Sequence, residues 1–245
     1  MESGCRTMPG VISRQRSIVP ACDVLTLAEL IKLVDQTRDV EGIGAYKLDA
    51  MSCVGPRGME IVAEVLGALT DLPFIYDHQK AGNDIPDLGG IFGQNVNMVK
   101  AAIIFPFAGP ATQEAWIKAV QDEGVIPVVG GEMTHPKFMV ADGGYIADDA
   151  PRRIFELATE LGVRDFVVPG NKPEKVQAYR KLLEGLCGDD PISLYAPGFV
   201  AQGGVIKEAA QVAGESWHAI VGRGIYQAGD MHAAAVEHCS QIIAA

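Results

Sequence analysis

An ammonium set between two carboxylates, in the run Asp77-His-Gln-Lys80-Ala-Gly-Asn-Asp84-Ile-Pro, is the stretch of this chain best suited to chemistry. Negative charge on both sides favours the charged form of a lysine, so Lys80 is a candidate proton donor with a fixed position. The run follows the apolar segment Pro73-Phe-Ile-Tyr76. A strand that ends in charges either closes its loop with surface ion pairs or presents reactive groups at the mouth of a barrel. The rest of the chain weighs on that choice.

Other polar residues stand in the same relation to apolar runs. Asp23 follows Ser17-Ile-Val-Pro-Ala-Cys22, Lys47 lies at the end of 43–48, and Thr134 lies beyond 125–129. Two glycine loops come late in the chain, Ala196-Pro-Gly-Phe-Val-Ala-Gln202-Gly-Gly204 and Val221-Gly222-Arg223-Gly224-Ile-Tyr226. Glycines let backbone N–H groups approach an anion closely, a following helix offers its positive end, and Arg223 adds a charged fork. Two such loops, one with an arginine, point to a phosphate group.

The elements that must carry these residues alternate throughout. Short apolar runs near 17–22, 43–48, 73–77, 101–105, 125–129, 165–168, 192–195 and 218–221 read as strands. Segments 26–37, 57–69, 87–99, 110–122, 148–161, 173–186, 204–213 and 229–243 read as helices. In 57–69, Met59, Val62, Ala63, Leu66 and Leu69 repeat at helical spacing. Pro110, Pro151 and Pro173 suit first helical turns, where proline's missing donor costs nothing.

Eight βα units without a linker predict an α/β fold of one domain, a (β/α)8 TIM barrel over 17–245. Residues 1–16 are expected to be a poorly ordered extension. A doubly wound sheet would announce a Gly-x-Gly-x-x-Gly after its first strand, and none follows Cys22-Asp23. In a barrel, chemistry belongs at the C-terminal strand ends and phosphate on the last two βα loops.

Composition narrows the partners. With 48% hydrophobic and 21% charged residues, the chain can fill a large core. Its net charge of −11 disfavours nucleic acid and anionic membranes. No apolar stretch approaches the ~18 residues of a membrane span. Five cysteines without a Cys-x-x-Cys pair fit a reducing compartment and give no zinc spacing. A cytoplasmic enzyme is the expectation.

The chain resembles the orotidine 5′-monophosphate decarboxylase family from about Ile18 to about Ala235. The likeness rests on Ala21-Cys-Asp23, Tyr46-Lys47, Asp77…Lys80…Asp84-Ile-Pro86, Glu132-Met-Thr-His-Pro136, Pro197-Gly…Ala-Gln-Gly-Gly204 and Val-Gly-Arg-Gly-Ile-Tyr226. It implies cofactor-free conversion of orotidine 5′-monophosphate to uridine 5′-monophosphate and CO2, in pyrimidine biosynthesis. By the same resemblance Lys47, Asp77, Lys80 and Asp84 form the charge network at the reacting carbon, with Lys80 the proton donor. Asp84 would reach a partner's site, so a homodimer is implied. Asp23 and Lys47 would contact ribose, and Thr134 the pyrimidine. Pro197, Gln202, Gly203, Gly222 and Arg223 would lie along the phosphate side, under a loop that folds over it.

The chain departs from the family in two respects. The usual spacing is Asp-x-Lys-x-x-Asp, whereas here it is Asp77-x-x-Lys80-x-x-x-Asp84. A shift of one residue along a strand turns a side chain to the opposite face, and Gly82 would permit a bulge that restores its aim. Leu88 also stands near where many members carry a ribose-contacting threonine. Two rivals stay open: a Mg2+-dependent phosphosugar decarboxylase or aldolase of the same barrel superfamily, and a non-catalytic nucleotide-phosphate binding paralogue. His78 and His135 suit structural roles at their loops. His218, His232 and His238 lack metal-ligand spacing, and Cys22, Trp116 and Trp217 suit core packing.

Overall fold

Eight parallel strands close into a barrel whose described helices lie outside it. The computed structural model describes residues 10–24, 26–49, 58–77, 99–200 and 202–243. The strands are β1 (Arg16–Pro20), β2 (Tyr46–Asp49), β3 (Phe74–Asp77), β4 (Ala101–Ile104), β5 (Ile126–Gly130), β6 (Asp165–Val167), β7 (Ser193–Pro197) and β8 (Trp217–Val221). The helices among the described residues are α1 (Leu27–Thr37), α2 (Gly58–Gly67), α3 (Pro110–Asp122), α4 (Ala150–Glu160), α5 (Pro173–Cys187), α6 (Ile206–Val212), α7 (Arg223–Tyr226) and α8 (Met231–Ile243). The helix expected over 87–99 falls almost wholly outside the described residues; Val99, its last position, is not helical.

Local chemistry sets the helix starts. Thr26 and Glu29 form a reciprocal capping box at α1, each side chain accepting the other's backbone N–H. Pro110, Pro151 and Pro173 occupy first turns, as their sequence positions predict.

Seven strand pairs form continuous ladders. The eighth contact, between β1 and β2, is made by separate bridges at Ile18–Ile43 and Ala21–Lys47. The two segments approach closely at Gly44, whose N–H donates to the Ile18 carbonyl at 3.0 Å and where a Cβ would stand 2.3 Å from the Ser17 hydroxyl and 2.8 Å from Ile12 Cγ2. Strand β2 begins at Tyr46, later than the apolar run from 43 predicts.

Side chains alternate across each strand. Val19, Ala45, Ile75, Ala101, Ile103, Val128, Val167 and Ile220 fill the barrel interior. Ile18, Tyr46, Leu48, Ala102, Ile104, Val129 and Val221 face the helices in a larger cluster. Val11 and Ile12, 5% and 8% exposed, join the interior group. The described part of the expected N-terminal extension therefore packs against the barrel, because two apolar side chains there find the open end of its core. Residues 1–9 lie outside the described residues.

The same alternation buries polar residues low in the barrel. Ser17 Oγ lies 2.9 Å from His218 Nδ1, the His218 ring packs on Tyr195 with centroids 4.9 Å apart, and the Tyr195 hydroxyl donates to Asp165 at 3.1 Å. Burial pushes the His218 imidazole down to about 3. Burial raises Asp165 to about 6, against the lowering effect of its bond from Tyr195.

These two shifts act on stability with opposite signs. Below pH 6.5 the unfolded chain accepts a proton that folded His218 refuses, so stability falls with pH down to about 3. Asp165 holds its proton more tightly when folded, so stability is regained as pH falls from about 6 to 3.8. Each slope is about 1.4 kcal/mol per pH unit, so the two offset between roughly pH 6 and 4. Asp165→Asn is expected to stabilise the protein by about 2–3 kcal/mol at pH 7.5 and hardly at all near pH 4. Urea midpoints at the two pH values check this, and an equal gain at both would refute the burial cost assigned to Asp165.

Candidate active site

The alternation that fills the barrel also aims three charged residues at its upper end. Asp23, Lys47 and Asp77 each lie two residues beyond an interior side chain, namely Ala21, Ala45 and Ile75. Lys47 Nζ is 2.6 Å from Asp77 Oδ2 and 3.3 Å from Asp23 Oδ1. The lysine side chain is 5% exposed, Asp77 is fully buried, and Asp23 is 28% exposed. Burial alone would lower the Lys47 pKa, but the charges of Asp77 and then Asp23 outweigh it and raise the pKa above the usual lysine value. Lys47 is therefore a fixed cation across the working pH range.

Above this group opens a cavity of about 440 Å3, within the size range of small-molecule sites. Asp23, Lys47, Thr134, Pro197, Gln202, Gly222 and Arg223 all line it. The structure thus brings seven of the candidate residues to one concave surface. Asp77 stands behind Lys47, and Gly203 belongs to the loop beside Gln202. Lys80 and Asp84 lie outside the described residues, as do His78, Gly82 and Leu88.

The loops that carry the far side of the cavity are held by backbone bonds. After β7, Gly204 N donates to the Gly198 carbonyl and Val200 N to the Gly204 carbonyl, each at 3.1 Å. Gly198 adopts φ +108, and a side chain there would reach 2.9 Å from the Thr134 methyl. Val200 in the same loop has φ +62, a strained setting for a β-branched residue. After β8, the Gly222 carbonyl accepts from Ile225 N at 2.8 Å, which turns the chain into α7 and places Arg223 at its first position. Arg223 is exposed at the rim, so its guanidinium is available to an anion.

Apolar groups close the remaining wall. Ile103, Phe105, Met133, Val167, Phe199 and Ile220 border the cavity. The Phe105 ring lies against Gly130, where any Cβ would be 2.3 Å from it. A ladder of rings runs Phe105–Phe107–Phe138–His135, with successive centroids 5.5, 5.2 and 5.3 Å apart. His135 thus shapes the loop after β5 through Phe138. Trp116, Trp217 and Cys22 are core residues, and His218 is interior to the barrel.

One buried carboxylate in the wall has no role in the sequence reading. Glu132 is fully buried beside the cavity and pairs with Lys172 at 2.7 Å. Its neighbours in the motif were visible, but a partner 40 positions away was not. Groups of three or more side chains able to hold a metal are absent among the described residues. No described helix is long and apolar enough to cross a membrane.

No family model matches the chain. Curated relatives do. An orotidine 5′-phosphate decarboxylase of Methanosarcina mazei is 29% identical over 94% of this chain and 97% of its own length. That of Methanocaldococcus jannaschii is 30% identical over 84% of this chain and 89% of its own length. Among solved structures, the M. jannaschii enzyme complexed with the inhibitor BMP shares the fold with a TM-score of 0.79, covering 93% of this chain and 98% of that one at 23% identity.

Proposed function

This chain belongs to the orotidine 5′-phosphate decarboxylase family, and we propose that the cavity above Lys47 is where it carries out that family's reaction. The conversion removes CO2 from C6 of orotidine 5′-monophosphate and leaves uridine 5′-monophosphate. One observation carries the assignment of parts: a buried cation held by two carboxylates on one side of the cavity, and a guanidinium with a glycine loop on the other. The first suits the reacting end of a nucleotide, and the second suits its phosphate.

The chemical difficulty is a carbanion at C6 with little delocalisation. The C6–carboxylate bond breaks, its electron pair stays on C6, and C6 then takes a proton. Lys80 supplies that proton, and its ammonium stabilises the charge as it develops. This role follows from the family resemblance and from the charge pattern Asp77…Lys80…Asp84. Asp77, fully buried against Lys47, acts by holding the lysine in place. Such fixed charges need no reorganisation during the reaction. The network itself completes the chemistry, so neither metal nor organic cofactor takes part.

Asp23 and Lys47 meet the ribose hydroxyls, and Thr134 meets the pyrimidine. Pro197, Gln202, Gly203, Gly222 and Arg223 form the phosphate side. Binding there is remote from C6, yet it supports the reaction by closing the β7 loop and excluding water. The active form is a cytoplasmic homodimer in which Asp84 reaches the partner's site, as in the family the sequence resembles.

Arg223 gives the most direct test of the phosphate side. Arg223→Ala is expected to lower kcat/KM about a hundredfold, or ~3 kcal/mol, and to weaken uridine 5′-monophosphate binding similarly. Steady-state kinetics with titration of the product check it. A variant with nearly unchanged kcat/KM would remove Arg223 from the site.

A further inference from the structure

Glu132 stands two residues beyond β5, its carboxylate fully buried in the cavity wall, and no step of the reaction uses it. A carboxylate removed from water is costly unless its oxygens are held. Here both are. Oε1 accepts from Lys172 Nζ at 2.7 Å, Oε2 accepts from the Tyr179 hydroxyl, and Lys175 Nζ lies 3.7 Å from Oε2. All three donors belong to α5 or to the residue just before it.

The grip extends along the backbone after Glu132. Lys172 also donates to the Met133 carbonyl at 3.3 Å, and Asn171 Nδ2 donates to the Thr134 carbonyl at 3.0 Å. Two successive carbonyls of the β5 loop are therefore held by two successive side chains of the next βα unit. On its other side Thr134 is confined by Gly198, where an added Cβ would come within 2.9 Å of its methyl. The brace ties helix α5 to the barrel through Tyr179, and at its other end it holds the backbone of Met133 and Thr134.

We propose that Glu132 is a positioning residue that sets the place of the Thr134 hydroxyl by anchoring Lys172 against the β5 loop. This rests on the reading of Thr134 as the contact to the pyrimidine. A misplacement of about 1 Å in such a contact can cost up to a hundredfold in rate. Glutamine at this position keeps an acceptor for Lys172 and can turn its amide N–H to the Tyr179 hydroxyl, but it removes the charge that holds the two lysines, so the anchor loosens without a cavity.

The test is a double-mutant cycle in kcat/KM for orotidine 5′-monophosphate with Glu132→Gln, Thr134→Val and both together. Glu132→Gln is expected to lose about tenfold or more in the parent and under about threefold in the Thr134→Val background. Equal losses in both backgrounds would overturn the proposal while leaving the Thr134 contact intact. No loss in Thr134→Val alone would overturn the pyrimidine contact and the positioning role with it. If Glu132→Gln fails to fold, Lys172→Met takes its place in the cycle, because Tyr179 and Lys175 still meet the carboxylate. The same two readings of coupling then apply.

Discussion

Lys47→Met is expected to abolish measurable turnover and to destabilise the fold by about 3 kcal/mol at pH 7.5. The substitution keeps the length of the side chain and removes the ammonium that Asp77 and Asp23 share. Asp77 is fully buried, so it cannot recover the lost attraction by moving into water. Urea denaturation of both proteins at pH 7.5, with turnover assays on the same preparations, checks this. A variant as stable as the parent would mean that the charge pair is not what Lys47 contributes to the fold.

Lys80→Ala is expected to lower kcat on the order of 10^4-fold or more, while uridine 5′-monophosphate binding changes by about tenfold at most. The asymmetry follows from the role assigned to the residue. A general acid contributes about 10^2–10^4-fold, and stabilisation of developing charge adds to it in the transition state alone. The product lacks the developing negative charge, and in the proposed site its phosphate rests on Arg223 and the glycine loops, away from Lys80. Single-turnover rates and product titration, measured on the same preparation, separate the two quantities. Equal losses in kcat and in product affinity would assign Lys80 to binding.

Much of the barrel could be read from the sequence because its strands are short apolar runs separated by helical periodicity. The run 125–129 and the helix start at Pro110 fall within a residue of their observed places. The strand-end rule also found Asp23, Lys47 and Asp77, since residues just past an interior side chain keep facing inward. What resisted reading was contact between distant positions. Gly44 looks like an ordinary strand residue until Ser17 and Ile12 are found against its Cα. Val11 and Ile12 seem to belong to a tail, yet they meet the open floor of the core. His218 has no local feature that marks it as interior, and only its alternation with Ile220 places it beside Ser17.

The site itself divides in the same way. Gln202, Gly222 and Arg223 could be placed at the cavity because the glycine loops that carry them follow the last two strands. Glu132 was not, because a buried charge is recognised by its partners, and Lys172 and Tyr179 lie on a different βα unit. The spacing Asp77-x-x-Lys80-x-x-x-Asp84 belongs to a third kind: its residue types are plain, and its reach is decided by backbone geometry beyond Asp77.

The central claim is that this chain decarboxylates orotidine 5′-monophosphate with its own side chains. Ultraviolet absorbance of that substrate, followed after adding the purified protein in excess EDTA, tests it most directly. The account predicts complete conversion to uridine 5′-monophosphate at a rate that EDTA does not change. No conversion despite tight product binding, or conversion that EDTA stops and Mg2+ restores, would contradict it.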